Sequence, residues 1–158
     1  LRDGAISMDK WDAYPAARQR LLDAMAERRT PNPVVLSGDV HVALAAAIRR
    51  TPDGPAVATE FTATSITSEG DGAEMTRGGE EILRRNADIA LYHARRGYCV
   101  AEADQRRMAM EFVSLPFVTR TGRSDRILPV RSSHASRSVV STVPGGGICP
   151  QRRRRRRE

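Results

Sequence analysis

An uninterrupted apolar run, Val34-Val35-Leu36, follows closely on an amphipathic helix, and that succession restricts the fold more than any other feature of the 158 residues. Ala17, Leu21, Leu22 and Met25 recur at the 3.6-residue period of a helix, with Arg18, Arg20, Asp23, Glu27 and Arg28 on the opposite face. Pro15 suits the first turn, where its missing N–H costs nothing. Thr30-Pro31-Asn32-Pro33 ends the helix, because a residue before proline avoids the αR region. A continuous apolar run is the pattern of a strand buried on both faces of a sheet. A helix leading into a central strand of that kind predicts layered α/β architecture.

Downstream the pattern changes to hairpins. Val42 to Arg50 is alanine-rich and compatible with helix, but Thr51-Pro52-Asp53-Gly54-Pro55 is turn chemistry and Ala56 to Phe61 has strand character, which favours a hairpin. Thr62 to Gly72 reads as a Thr/Ser/Gly-rich loop. Gly78-Gly79 then precedes a short helix from Glu80 to Asn86, with Asn86 as its stop. Tyr98 to Ala101, the turn Glu102 to Gln105 and the alternating Arg107 to Val113 predict a second hairpin. Cys99 alternates with apolar neighbours and reads as a buried, inert thiol, and a disulfide to Cys149 in a Gly/Pro-rich stretch is not expected.

Charge separates the chain into two parts. Residues 1 to 118 hold 15 Lys and Arg against 17 Asp and Glu, whereas 119 to 158 hold 11 against 2. The net +7 thus belongs to the C-terminal stretch, and nucleic acid is not an expected partner of the folded part. We accordingly divide the chain into a folded 1–118 and a disordered tail, 119–158, rich in Arg, Ser, Gly and Pro and ending in six arginines from Arg152 to Arg157. A basic patch for nucleic acid or a membrane surface, a targeting signal and a slipped reading frame beyond about Gly122 are the other readings of that tail. Of the 26 basic residues only Lys10 is lysine, a skew that fits arginine-rich codon usage. No stretch approaches the roughly 20 apolar residues of a membrane span, and Leu1-Arg2-Asp3-Gly4 has no signal-peptide pattern. An opening on Leu inside a polar loop leads to the expectation of a missing upstream part.

The chemistry concentrates at Gly38-Asp39-Val40-His41, immediately after the apolar run. A carboxylate and an imidazole two residues apart at a strand's C-terminal edge can lean into one crevice, and a glycine before them permits a sharp turn. Strand C-termini are where open α/β sheets place ligands. Hard carboxylate oxygens with a borderline imidazole nitrogen suit first-row metals. On these four residues alone, a turn aspartate beside a structural histidine is an equally good reading.

The wider string resolves that. Trp11-Asp12-Ala13-Tyr14-Pro15 through Leu22, Asn32-Pro33-Val34-Val35-Leu36-Ser37-Gly38-Asp39-Val40-His41, Ala58 through Gly72, and Ala94-Arg95-Arg96-Gly97-Tyr98 closely resemble the C-terminal half of the alkaline phosphatase D (PhoD-like) family, over about residues 1 to 120. The resemblance implies an α/β fold, the C-terminal part of a four-layer α/β/β/α calcineurin-like metallophosphoesterase sandwich, incomplete here. It implies hydrolysis of a phosphoester substrate as phosphomonoesterase or phosphodiesterase, iron with calcium or other divalent ions as cofactors, and secretion by the twin-arginine route. Ligand roles transfer to Asp39 and His41. The family's other ligands, from an Asp-x-x-Tyr stretch, an Asn-His-Asp stretch and an upstream cysteine, precede everything in this sequence, so the missing N-terminal half of the domain is an expected partner and the chain alone is expected to be inactive. Asp12 and Tyr14 belong to the Trp-Asp-x-Tyr-Pro block and are not those ligands.

Weaker candidates surround the motif. Thr64, Ser65 and Ser68 are possible phosphate donors, or ordinary turn residues. Arg95 and Arg96 offer forks for a phosphate, or lead solvated into a strand. His93, in Leu91-Tyr92-His93-Ala94, reads as a partly buried structural histidine, and His134 has no assigned role. The competing functional readings are an arginine-tailed nucleic-acid-binding protein and a non-functional truncated product.

Overall fold

The computed structural model describes residues 7–68, 70–105 and 107–121, and the backbone of 126–133 and 140–142. A short 3₁₀ turn, Trp11–Ala13, leads into helix α1, Pro15–Glu27, with Pro15 in its first turn as the sequence requires and Leu22 its buried residue. The helix ends before the prolines act. Arg29 N–H bonds Ala26 O at 3.2 Å and Thr30 N–H bonds Met25 O at 3.2 Å, with Arg29 in the left-handed region at φ 50°. That pair of bonds is a Schellman closure, built here on an arginine where glycine is the usual occupant.

Strand β1, Val34–Ser37, follows. It pairs parallel with β3, Ala56–Thr62, which pairs antiparallel with β2, Ala43–Arg49, and β2 pairs antiparallel with β5, Ile89–Arg95. A two-residue strand β4, Gly72–Ala73, closes the order β1-β3-β2-β5-β4, with helix α2, Gly79–Arg85, between β4 and β5 in sequence. The β2–β3 hairpin and the α2 helix match the sequence expectation. β1 does not. It lies at the sheet edge rather than the centre, with Val34 and Val35 half-buried and Leu36 59 % exposed, because among the described residues only β3 pairs with it.

The second sheet begins with the expected hairpin, β6, Gly97–Ala103, and β7, Arg107–Ser114, in antiparallel register from Gly97 opposite Ser114 to Ala103 opposite Met108. Gly97 is obligatory there, since a Cβ would stand 1.9 Å from the Val113 carbonyl oxygen. The backbone then pairs β8, Arg126–Ser133, with β7, and β9, Val140–Thr142, with β8. This corrects the expectation of an unstructured 119–158 over those two segments. The apolar content of Ile127-Leu128 and Val130 gives β8 strand propensity that the surrounding arginines and serines mask in a composition-based reading. Arg152 to Arg157, His134 and Cys149 lie outside the described residues.

The two sheets pack face to face. Ala43, Ala45 and Phe61 of the first meet Met110 and Phe112 of the second, with Val34, Leu91, Cys99 and Met108 against them and the Phe61 and Phe112 rings 6.3 Å apart at a tilt of 57°. The tilted aromatic pair supplies specific geometry beyond area burial. Val42, Leu44 and Ala94 form a separate cluster with Val40, Ile89 and Tyr92, so β2 buries alternate residues in two different clusters. α1 lies against β3 and α2 against β5. The result is an α/β fold of mixed sheets with few helices, an incomplete part of a layered sandwich. Cys99 is half-buried against this core rather than fully buried as the sequence suggests, and desolvation there pushes its thiol up to about 11. No helix among the described residues is long and apolar enough to cross a membrane.

Candidate metal site at the end of strand β1

β1 stops at Ser37, and the motif lies beyond it in a loop rather than on the strand. The strand-period argument for placing Asp39 and His41 on one side therefore does not apply. The chain turns through a γ-turn instead: Val40 N–H bonds Gly38 O at 2.9 Å across Asp39, whose φ is 71°, and His41 follows at φ 53°. Left-handed backbone at an L-residue costs about 1–2 kcal/mol. Two such residues within three positions persist only where their surroundings fix them. Gly38 is not the residue that provides the turn. It has no positive φ, and a Cβ there would meet nothing nearer than Ala63 O at 3.9 Å.

What holds the loop is hydrogen bonding to the His41 carbonyl. Arg96 Nη1 donates to it at 2.9 Å, and Thr64 Oγ1 at 3.0 Å, the same hydroxyl lying 3.0 Å from Arg95 O. Arg96 is only 5 % exposed, and its guanidinium also reaches Gly70 O at 3.1 Å and Ala94 O at 3.4 Å. A buried guanidinium is tolerable only when its donors are satisfied, and the five-donor fork suits several converging carbonyls. Around it, Gly97 N–H bonds Ser65 O at 3.1 Å and Leu115 N–H bonds Arg96 O at 2.8 Å, so the β5–β6 junction is the hub for three loops. On the strand side, Ser37 Oγ donates to Glu60 Oε1 at 2.7 Å and lies 2.9 Å from Thr62 Oγ1, which fixes the last residue before the motif.

Asp39 and His41 thus end on one tight loop, the carboxylate open to solvent and His41 half-buried. Lys10 Nζ lies 3.5 Å from Asp39 Oδ2. Thr64 joins the two motif residues, but its hydroxyl serves backbone carbonyls. Ser65 Oγ bonds Ser68 O of its own loop at 3.4 Å, and Arg95 Nη1 bonds Pro116 O, beyond the end of β7, at 2.8 Å, so both side chains meet backbone carbonyls. His93 is buried, as its apolar setting in the sequence suggests. The sequence offered Arg96 as a phosphate fork or as a solvated residue leading into a strand, neither of them a buried hub for carbonyls, and gave Lys10 no role. The signal for Arg96 was its position immediately before an obligatory glycine at a strand junction, and for Lys10 its singularity.

Among the described residues no group of three His, Cys, Asp or Glu is placed to hold a metal ion. Asp39 and His41 supply two donors of a kind that suits a first-row or other divalent cation, and a cationic ammonium already stands at the carboxylate. The pair fits part of a metal shell. A cavity of about 230 Å³ lies elsewhere, at the N-terminal end of β1, lined by Asn32 and Val34 with Asp104 and Arg107 of the β6–β7 turn region.

The family model of the PhoD-like phosphatases matches residues 2–112. The chain belongs to the PhoD-like phosphatase family. It is 32 % identical over 152 residues to alkaline phosphatase D of Bacillus subtilis (strain 168), covering 90 % of this chain and 26 % of that protein. A solved structure titled "Structure of PhoD" superimposes with a TM-score of 0.81 at 29 % identity, over 90 % of this chain and 28 % of the other. The chain spans about a quarter of the length of these relatives.

Proposed function

We propose that this chain carries one portion of a metal-dependent phosphoester hydrolase site, with Asp39 and His41 as two of its metal donors and the remaining donors supplied from outside residues 1–158. The observation that carries this reading is the loop itself. Two left-handed residues, Asp39 and His41, follow the end of β1 within the span matched by the family model, and Arg96 and Thr64 hold the second of them by its carbonyl. Backbone strain that buried side chains over-determine clusters at functional sites.

When bound, metal ions of this kind polarise a phosphoryl oxygen and acidify water. In that setting the Asp39 carboxylate and the His41 imidazole donate lone pairs, and the Arg96 and Thr64 bonds hold the backbone that carries them. Iron with calcium, a phosphomonoester or phosphodiester substrate, the N-terminal half of the domain as partner and secretion of the whole protein are the finer parts of this proposal, carried by the family resemblance.

With two donors among the described residues, the shell we propose is incomplete within this chain, and catalysis by metal needs the full first shell and its supports. Purified 1–158, assayed with iron, calcium, manganese or zinc, is expected to leave p-nitrophenyl phosphate and bis(p-nitrophenyl) phosphate intact. Robust turnover abolished by Asp39→Asn would show that the site is complete within this chain.

A further inference from the structure

We propose that Lys10 is a built-in counter-ion for Asp39, an ammonium that holds the carboxylate while the metal position is empty and gives it up when a metal binds; this rests on Asp39 being a metal donor, as proposed above. Three observations meet here. The Lys10 ammonium stands 3.5 Å from Asp39 Oδ2. Both side chains reach solvent, at 41 % and 78 % exposure, so neither is locked in place and the pair opens without unpacking the core. Lys10 is also the single lysine among 26 basic residues.

That last fact bears on mechanism. In a chain with arginine at every other basic position, the lysine stands against the one carboxylate of the Gly-Asp-x-His loop. The two cations differ in how they hold a carboxylate. Arginine presents a planar fork that clamps both oxygens, whereas lysine offers a compact, well-hydrated point charge on a flexible stem. A resident cation that must yield to a metal ion is better built from the second. The backbone at Lys10 is anchored, with its N–H on Ser7 O at 3.4 Å and its carbonyl accepting from Ala13 N–H at 3.1 Å. The anchored backbone and free side chain let the ammonium swing away while the turn stays in place.

Displacement of this kind makes Lys10 a competitor with the metal, so its removal strengthens metal binding and its replacement by arginine weakens it. Surface ion pairs of this exposure are worth little, and the effect of removal is correspondingly about two- to fivefold in affinity. The experiment is a titration of the whole chain with Mn²⁺, read as paramagnetic broadening of the His41 ring signals, for the native chain, Lys10→Met and Lys10→Arg. The expected order of midpoint concentrations is Met lowest, native intermediate, Arg highest. Equal midpoints in the three proteins, or a higher midpoint for Lys10→Met, overturn the counter-ion role while leaving the metal donors standing. Absence of selective broadening at His41 in all three overturns the counter-ion role, since no metal then competes with Lys10 for Asp39, whereas the donor reading, which places the remaining ligands outside this chain, is tested separately by loss of activity on Asp39→Asn in a completed site.

Discussion

Arg96 shows how little of a site's support is written in its motif. Its guanidinium is buried and spends its donors on the carbonyls of His41, Gly70 and Ala94. Removing it leaves those carbonyls to find other partners in a place water reaches poorly, at a cost of about 1–3 kcal/mol for each left unsatisfied. Arg96→Ala is therefore expected to lower unfolding stability by about 2–4 kcal/mol in a urea titration, and Arg96→Lys to restore little of it, because one ammonium cannot span carbonyls from three segments. A loss below 0.5 kcal/mol for Arg96→Ala would mean the loop is held by something else. At this scale the sequence named Asp39 and His41 from the motif and the family string, and left Thr64 open between a phosphate donor and a turn residue. Its hydroxyl faces a carbonyl because the loop doubles back, and that reversal depends on two positive φ angles at Asp39 and His41, which residue types alone do not encode.

Among the elements, those with local causes were legible. The α1 stripe, the Thr51–Pro55 turn and the alternation of Arg107 to Val113 each follow from neighbours in sequence, and each appears as read. β1 failed because burial of an apolar strand depends on which strands pair with it, which is a non-local matter. β5 was passed over because its alternation is interrupted by polar and aromatic residues in Tyr92-His93 and ends in charge, although its Ala94 and His93 are buried. The end of α1 was placed at the prolines, whereas Arg29 closes it earlier in a conformation that glycine adopts without steric cost. Arg29→Gly is thus expected to raise stability by about 1 kcal/mol, seen as a higher denaturant midpoint at unchanged slope. A second junction is electrostatic. Asp71 Oδ1 accepts the N–H groups of Val118 at 2.6 Å and Thr119 at 2.9 Å, and Oδ2 accepts the Thr119 hydroxyl at 3.0 Å. The Val118 bond, then that of Thr119, holds the carboxyl below its ordinary value of 3.8. A carboxylate depressed in the folded state contributes its attachment above the ordinary value and loses it as pH falls through the lower, folded one. The amide signals of Val118 and Thr119 are expected to move together only below pH 3.8, and Asp71→Asn to remove that transition while leaving the signals of β2 in place. Movement at neutral pH would contradict the clamp.

For the molecule as a whole, two packed sheets and two helices set one loop at the edge of β1, where Asp39 and His41 stand without a third donor among the described residues. The charge division of the sequence placed the basic excess after residue 118 and so directed attention to the slightly acidic first part. The layered α/β class was legible from the helix–strand succession, but the joining of β8 and β9 to the second sheet was not, since long-range pairing leaves only weak traces in composition. On the function proposed above, this chain contributes a working donor pair to a phosphatase site completed elsewhere. The direct measurement is metal-dependent hydrolysis of p-nitrophenyl phosphate by Bacillus subtilis alkaline phosphatase D in which the matching segment has been replaced by residues 2–112 of this chain. The expected result is an active chimera whose kcat/KM falls at least about a hundredfold with Asp39→Asn. A folded chimera that is inactive, or one whose activity ignores Asp39→Asn, would contradict it.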